Sequence, residues 1–331
     1  MTGPLEAPLL EVRDLAVSFN TPDGVLEAVR GVSFNLERGR TLGIVGESGS
    51  GKSVATQSMV GLTRGARISG QALFEGRDLL TLSAAELRAV RGPGISMIFQ
   101  SPMSSLHPLY RIGWQIAEMI RAHEPVSAAK ARARAIELLG HVGIPRPEKR
   151  VDDYPHQYSG GMLQRAMIAM AIALNPRILV ADEPTTALDV TVQSQILRLL
   201  TMLQQEFGTA IIMITHDLGV IAEMAHDVLV MYAGRAMEQA PRESLLRTPC
   251  HPYTQGLLRS RPRLDAIGGR LTPIPGQPPS LVAPPRGCPF HARCERSIDR
   301  CAETSPPLAA ADDGDPLHRA SCWVPGRGAA P

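Results

Sequence analysis

Apolar residues alternate at Leu10 and Val12, resume at Leu15, Val17 and Phe19, and alternate again at Val32, Phe34 and Leu36. Period-two patterning predicts half-buried strands, and Pro22-Asp23-Gly24 between the runs supplies a turn, so the chain opens on a small antiparallel sheet. Ser69 to Asp78 reads as a further strand pair turning near Gly76. Unbroken apolar runs then recur at Leu42 to Val45, Ile178 to Ala181, Ala210 to Ile214 and Val228 to Tyr232, and Ile95 to Gln100 reads as a short buried strand ending in a polar residue. Such runs predict buried strands, here separated by helices. The pattern changes between Leu106 and Gly143, where Ile112, Ile116, Met119 and Ile120, then Ala135, Leu138, Leu139 and Val142, fall at helical spacing. This is a helical insertion in an alternating strand and helix chain, and Lys130, Arg132 and Arg134 form a solvated helix face within it. Further helices are predicted over Ala166 to Leu174 and Gln195 to Gln205.

The run Leu42 to Val45 leads into Gly46-Glu47-Ser48-Gly49-Ser50-Gly51-Lys52-Ser53, which fits the phosphate-loop pattern G-x-x-x-x-G-K-[ST] in its strand, loop, helix context. Glycines let the backbone curl so that successive N–H groups face phosphate oxygens, and the following helix adds the positive end of its dipole. Lys52 is placed to reach the terminal phosphates and Ser53 to hold Mg²⁺. Phe19 ends its strand upstream of this loop, where it either stacks on an adenine or packs as a plain core phenylalanine.

Carboxylates occupy the ends of the later strands. Ile178 to Ala181 runs into Asp182-Glu183, which assigns metal positioning through water to Asp182, and water positioning or general base work to Glu183, whose side chain leaves the other way. Ala210 to Ile214 ends in Thr215-His216-Asp217, and a strand-end histidine on that edge either hydrogen-bonds a γ-phosphate or is merely structural. Tyr158-Ser159-Gly160-Gly161 precedes an apolar helix and offers a second anion site, with a hydroxyl, free N–H groups and a helix dipole converging.

With 331 residues, 44% hydrophobic and 20% charged, the chain is long enough for two domains and has ordinary globular composition. A formal charge of +2 gives no argument for nucleic-acid binding, and charged residues and glycines interrupt every run that could approach a membrane span. Met1 to Leu10 lacks a basic region followed by an apolar one, so the chain is expected to be cytoplasmic.

In order, the phosphate loop, Gln100, the Ser-Gly-Gly signature, Asp182-Glu183, the Leu188-Asp189 loop and His216 resemble the nucleotide-binding subunit of an ABC transporter over residues 9–240. The resemblance implies an α/β P-loop NTPase core of the ABC type, with an N-terminal antiparallel β subdomain and a helical subdomain at about 104–172. It implies ATP and Mg²⁺ as ligands, with Ser53, Gln100 and Asp182 around the metal and Gln100 in the loop that links nucleotide to membrane subunits. It further implies that Ser159, Gly160, Gly161 and Gln164 contact ATP held by a second ATP-binding subunit, and that Asp189 lies in the dimer loop.

Phe99-Gln100-Ser101-Pro102-Met103-Ser104-Ser105-Leu106, Thr185-Thr186-Ala187-Leu188-Asp189-Val190-Thr191, Met231-Tyr232-Ala233-Gly234 and His251-Pro252-Tyr253-Thr254 narrow the resemblance to the oligopeptide, dipeptide and nickel importer subfamily. The chain departs from its pattern at Tyr158, usually Leu, and at Ser101 and His107, usually Asp and Asn. Membership implies a peripheral ATPase at the cytoplasmic face of the membrane. Its partners would be two multi-spanning permease subunits, a second and paralogous ATP-binding subunit and, indirectly, an extracytoplasmic binding protein that delivers the cargo. Rival readings are a soluble ABC ATPase of DNA repair or translation, opposed by the single cassette and short insertion, and a redox- or metal-responsive module.

Beyond residue 240 prolines at 273, 275, 278, 279, 284 and 285 favour extended backbone, and four of the five cysteines gather in Cys288-x5-Cys294-x6-Cys301 and the distant Cys322. Four thiolates suit a structural Zn²⁺ or an iron–sulfur cluster, and the spacing alone leaves both open, with unrelated buried thiols as a third reading. In the importer subfamily a C-terminal extension (residues 241–331) with this cysteine pattern implies a [4Fe-4S] cluster on Cys288, Cys294, Cys301 and Cys322. Cys250 stands alone and reads as packing.

Overall fold

A computed structural model of the chain describes residues 7–186, 188–260, 273–311 and 314–326. Residues 1–6 of the N-terminal stretch Met1 to Leu10, Ala187 of the Ala187-Leu188-Asp189 loop, and residues 261–272, 312–313 and 327–331 of the extension lie outside the described residues. The strands are β1 (Leu10–Thr21), β2 (Gly24–Leu36), β3 (Thr41–Val45), β4 (Ala66–Phe74), β5 (Arg77–Asp78) and β6 (Ile95–Ile98). They continue as β7 (Ile178–Asp182), β8 (Ala210–Thr215), β9 (Asp227–Tyr232), β10 (Arg235–Pro241), β11 (Ala309–Ala310) and β12 (Arg319–Ala320). Two compact units divide the chain: Met1–Glu37, Thr41–Thr81 and Ile214–Pro331 in the first, Arg38–Arg40 and Leu82–Met213 in the second.

In the first unit β2, β1, β4 and β5 form an antiparallel sheet in that order, with Leu10 opposite Leu36 and Val12 opposite Phe34. Leu10, Val12, Leu15 and Val17 are all buried. The two alternating runs of the sequence are out of phase because the register shifts between Val12 and Leu15, where Asp14 takes φ 47. Such a bulge returns the apolar side chains to the buried face. The Asp14 N–H donates to Ser33 Oγ at 2.8 Å, which fixes the bulge.

The same unit holds the strand sequence β11, β12, β10, β9, β3. β3 is buried along its whole length and runs parallel to β9, with Val45 opposite Val230, as an unbroken apolar run requires. β10 returns antiparallel to β9, and β12 pairs with β10 through Glu238 opposite Ala320. The extension thus contributes strands to this sheet. Glu238 is fully buried beneath them, accepting hydrogen bonds from the Cys250 and His251 amides at 2.6 and 3.0 Å, with His318 Nε2 2.7 Å from its carboxylate. Three partners satisfy a carboxylate that burial would otherwise penalise.

In the second unit β8, β7 and β6 are neighbours in that order, β6 and β7 parallel with Ile95 opposite Ile178. The helical insertion is present as Ile112–His123 and Ala128–His141, which pack together. Ile112, Ile116 and Ile120 from one, and Ala131, Ala135 and Leu139 from the other, are almost wholly buried, and Ser127 caps the second helix through the Lys130 N–H. Two helices begin earlier than their apolar patterns predict. Gly160–Ile172 starts at the Ser-Gly-Gly signature, and Val190–Phe207 starts directly after Asp189, each from a side-chain cap. No helix among the described residues is long and apolar enough to cross a membrane.

Candidate nucleotide site and cysteine-lined cavity

In the first unit the phosphate loop joins β3 to the helix Lys52–Met59. Its backbone leaves no room for side chains: a Cβ on Gly46 would lie 2.0 Å from the Met231 carbonyl oxygen, and one on Gly51 (φ 95) 2.2 Å from that of Ala28. Lys52 is only 5% exposed, and its ammonium donates to the Gly46 and Glu47 carbonyls, each at 2.8 Å, with Ser50 Oγ at 3.3 Å. A buried cation is thereby aimed along the loop, beside a helix start that favours an anion. His216 stands exposed just beyond β8, before the helix that Asp217 caps through the Gly219 N–H. Phe19 lies near the end of β1, opposite Leu26 and Ala66, and is half-buried, which sets it apart from the core phenylalanines Phe34 and Phe74.

In the second unit Asp182 ends β7 and is 4% exposed, while Glu183 is half-buried in a left-handed backbone conformation, φ 47. That conformation turns the chain sharply between the two acids. Glu183 Oε2 accepts from Gln100 Nε2 at 3.0 Å and from Thr186 Oγ1 at 2.9 Å, so Gln100 and Glu183, assigned separately from sequence, are hydrogen-bonded to each other. Ser159 is the exposed N-cap of its helix and accepts from the Met162 N–H, with Gly160 exposed beside it and open space where its Cβ would be. Gln164 is 3% exposed, on the helix that also buries Leu163, Met167 and Ile168. Spacing along the helix turns it inward. Tyr158, the departure from the subfamily pattern, is buried with its hydroxyl donated to the Arg150 carbonyl at 2.9 Å. Asp189 is exposed and caps its helix by accepting from the Val192 N–H at 2.9 Å.

The same unit exposes Met103, Leu109, Tyr110 and Trp114 at the start of the helical insertion, Tyr110 and Trp114 being stacked with ring centroids 4.3 Å apart.

Back in the first unit, Cys288, Cys294, Cys301 and Cys322 line one cavity together with Phe290 and Trp323. The backbone amides of Phe290, Arg296 and Val324 favour the thiolates of Cys288, Cys294 and Cys322, each two residues upstream. Burial pushes the Cys288 thiol up to about 11 and raises Cys294 and Cys322, against the pull of these amides. No three of the four thiols lie within 4.8 Å of one another; among the described residues that closeness is reached by Glu238, Cys250 and His318. Cys250 packs with Ala311 and Ala320.

Neither that buried cluster nor a second connection was foreseen. Arg293, on the turn between Cys288 and Cys294, forms a bidentate pair with Glu47 of the phosphate loop, Nη1–Oε2 2.7 Å and Nη2–Oε1 3.0 Å. Tyr253 Oη, from the His251-Pro252-Tyr253-Thr254 stretch, accepts the Glu47 N–H at 2.8 Å.

The model of the ABC transporter family matches residues 29–186, and that of the oligopeptide/dipeptide transporter C-terminal region matches residues 237–301. The oligopeptide transport ATP-binding protein OppD of Bacillus subtilis is 51% identical over 320 residues, 96% of this chain and 88% of the relative. The chain belongs to the ATP-binding subunits of the oligopeptide and dipeptide ABC transporter family. OppD of Salmonella typhimurium is 52% identical to this ATP-binding subunit over 92% of the chain and 91% of the relative, and the dipeptide transport protein DppD of Bacillus subtilis 49% over 96% and 94%. Among solved structures, the ATP-binding cassette MJ0796, a dimer in a post-hydrolysis state bound to ADP and Pi, covers 70% of the subunit and is itself covered to 98%, with 27% identity and a TM-score of 0.64. The ABC-type α/β fold expected from the ordered motifs is therefore the fold of this ATP-binding subunit, and the narrower subfamily is the one its relatives occupy.

Proposed function

We propose that this ATP-binding subunit hydrolyses ATP to drive peptide uptake through an ABC importer. The match to peptide-transport ATP-binding proteins at about half identity, running through both the cassette and the extension, carries this reading. Those relatives favour transport over DNA repair or translation, and peptides over nickel. The cassette is taken as residues 9–240, with the helical subdomain at about 104–172, and the extension as 241–331.

Lys52 and the amides of residues 46–53 hold the phosphates, and Phe19 stacks on the adenine. Ser53, Gln100 and Asp182 offer the hard oxygen donors that Mg²⁺ takes, and the ion when bound neutralises phosphate charge. Glu183, pinned by Gln100 and Thr186, orients the attacking water, while His216 donates to the γ-phosphate. These residues act by positioning and by stabilising developing charge. Exposed Ser159 and Gly160, with Gly161 beside them, close on ATP held by a second, paralogous ATP-binding subunit. Gln164 supports that signature from its buried side, and Asp189 shapes the dimer loop.

The stacked Tyr110–Trp114 pair with Leu109 forms the apolar face on which two permease subunits dock, at the cytoplasmic side of the membrane. An extracytoplasmic binding protein then supplies the peptide. Tagged full-length chain expressed with its native neighbours is expected to co-purify with two multi-spanning membrane proteins. Recovery with ribosomes or nucleic acid instead would overturn the import reading.

The four extension cysteines fit a [4Fe-4S] cluster better than zinc. A tetrahedral zinc bound at about 2.3 Å draws its sulfurs to roughly 3.8 Å apart. No three of the sulfurs approach to within 4.8 Å, wider than a closed zinc site draws them, and backbone amides that favour the thiolates are one way protein tunes a cluster. When bound, it would cross-link the extension through all four thiolates. Anaerobically purified protein is expected to be coloured, with iron and acid-labile sulfide near four per chain. Colourless protein carrying stoichiometric zinc would remove the cluster and leave the transport reading intact.

A further inference from the structure

The phosphate loop is held from outside by the turn that carries the cysteines. Glu47 is the second residue of the loop, and three of its groups are engaged. Its N–H donates to Tyr253 Oη at 2.8 Å, its carbonyl accepts from both Lys52 Nζ and the Ser50 N–H, and its carboxylate meets Arg293 end-on through two hydrogen bonds. The Arg293 side chain is only 6% exposed, and its other donors are spent on rigid acceptors: Nε on the Pro275 carbonyl at 2.8 Å, Nη2 also on the Ile274 carbonyl at 3.2 Å, and Nη1 also on Tyr232 Oη at 3.0 Å. Its backbone is equally confined. The Arg293 N–H donates to Phe290, and the turn is bounded by His291 N–H to the Cys288 carbonyl and Cys294 N–H to the His291 carbonyl. A planar guanidinium with this many fixed acceptors has one position, and a bidentate pair transmits that position to its carboxylate.

The carbonyl that Arg293 indirectly places is one of the two that aim the Lys52 ammonium. We propose that Arg293 is a positioning residue for ATP: through Glu47 it sets the phosphate loop and the direction of Lys52, so that the turn between Cys288 and Cys294 governs nucleotide affinity. The inference rests on the reading of residues 46–53 as the ATP site. It gives Tyr253 and Arg293, which touch no phosphate position themselves, a role in the site. It also gives a disturbance of Cys288 or Cys294 a short physical route to ATP.

Full-length chains carrying Arg293→Ala, Arg293→Lys, Glu47→Ala and the double alanine substitution, with Lys52→Ala as control, would be titrated with a fluorescent ATP analogue in Mg²⁺. Their ATPase KM and kcat would be measured beside their unfolding midpoints. Arg293→Ala is expected to weaken binding about tenfold, raising KM while kcat at saturating ATP stays within about twofold. Arg293→Lys, which keeps the charge but not the fork, should fall between alanine and wild type, and it serves where the alanine chain does not accumulate. The double substitution should cost no more than either single one, because both break the same link. Unchanged affinity in the Arg293 variants with a lowered unfolding midpoint would reduce Arg293 to a structural tether and overturn the proposal, as would additive effects of the two alanines. Loss of the Lys52 effect would instead strike the ATP-site reading itself.

Discussion

Replacing Glu183 by Gln is expected to leave ATP bound and stop its turnover. The variant keeps the side-chain shape and an oxygen able to accept from Gln100 Nε2 and Thr186 Oγ, so the pinned geometry at the end of β7 survives. It removes the charge that orients a water and takes its proton, a contribution of about 10²–10⁴-fold in rate. Steady-state phosphate release should fall by that factor, while ATP affinity stays within about threefold, since this group acts on the water and not on the bound phosphates. With hydrolysis blocked, the two ATP-binding subunits should stay closed on their nucleotide, so that gel filtration in MgATP shows a stable dimer that wild type forms only transiently. Phosphate release near the wild-type rate in Glu183→Gln would take the water-positioning role away from this residue.

Lys52→Ala is expected to act at the earlier step. The ammonium is buried, with its donors turned onto the Gly46 and Glu47 carbonyls along the inside of the loop. Its charge-assisted bonds to phosphate are worth roughly 3 kcal/mol together, which is about a hundredfold in ATP affinity. Calorimetric titration with MgATP should show that loss, and ATPase activity at cellular ATP levels should fall with it. Because the Gly46 and Glu47 carbonyls each lose the ammonium as a donor, the variant's unfolding midpoint is measured alongside, so that a folded chain with near wild-type ATP affinity would refute the assignment.

Much of the fold could be read from the sequence because burial imposes simple periods. Leu10, Val12, Leu15 and Val17 show the buried face of β1, and even the phase slip at Asp14 is visible once the bulge is known. Unbroken runs located β3, β7, β8 and β9 to within a residue or two. Helix starts were harder. Val190-Thr191-Val192 is β-branched and argues against helix, yet the Asp189 cap offsets that weak propensity and the helix begins there.

Within the site, residue types fixed by chemistry were legible: glycines that no Cβ could replace at 46 and 51, Lys52, the acids closing β7, and the Ser159 cap. Gln164 enters the signature only through the resemblance, and no local pattern distinguishes it from its buried neighbours Leu163 and Met167. Arg293 was out of reach for a different reason. Its partner Glu47 lies 246 positions away, and nothing local distinguishes a buried, forked arginine from a solvated one beside a cysteine. The Glu238 cluster was hidden likewise, since Cys250 and His318 meet only once β12 has paired with β10.

That pairing limits how the extension can be dissected. A chain cut before His318 would leave β10 as a bare sheet edge, its outward N–H and C=O groups open to any extended segment of another molecule, and unguarded edges of this kind seed aggregation. The same cut would strip the Glu238 carboxylate of its imidazole while leaving it sealed from water. Loss of activity in a truncated chain would therefore report insolubility before it reported anything about the cysteines, and substitutions that spare residues 318–320 are the sound way to ask what the extension does.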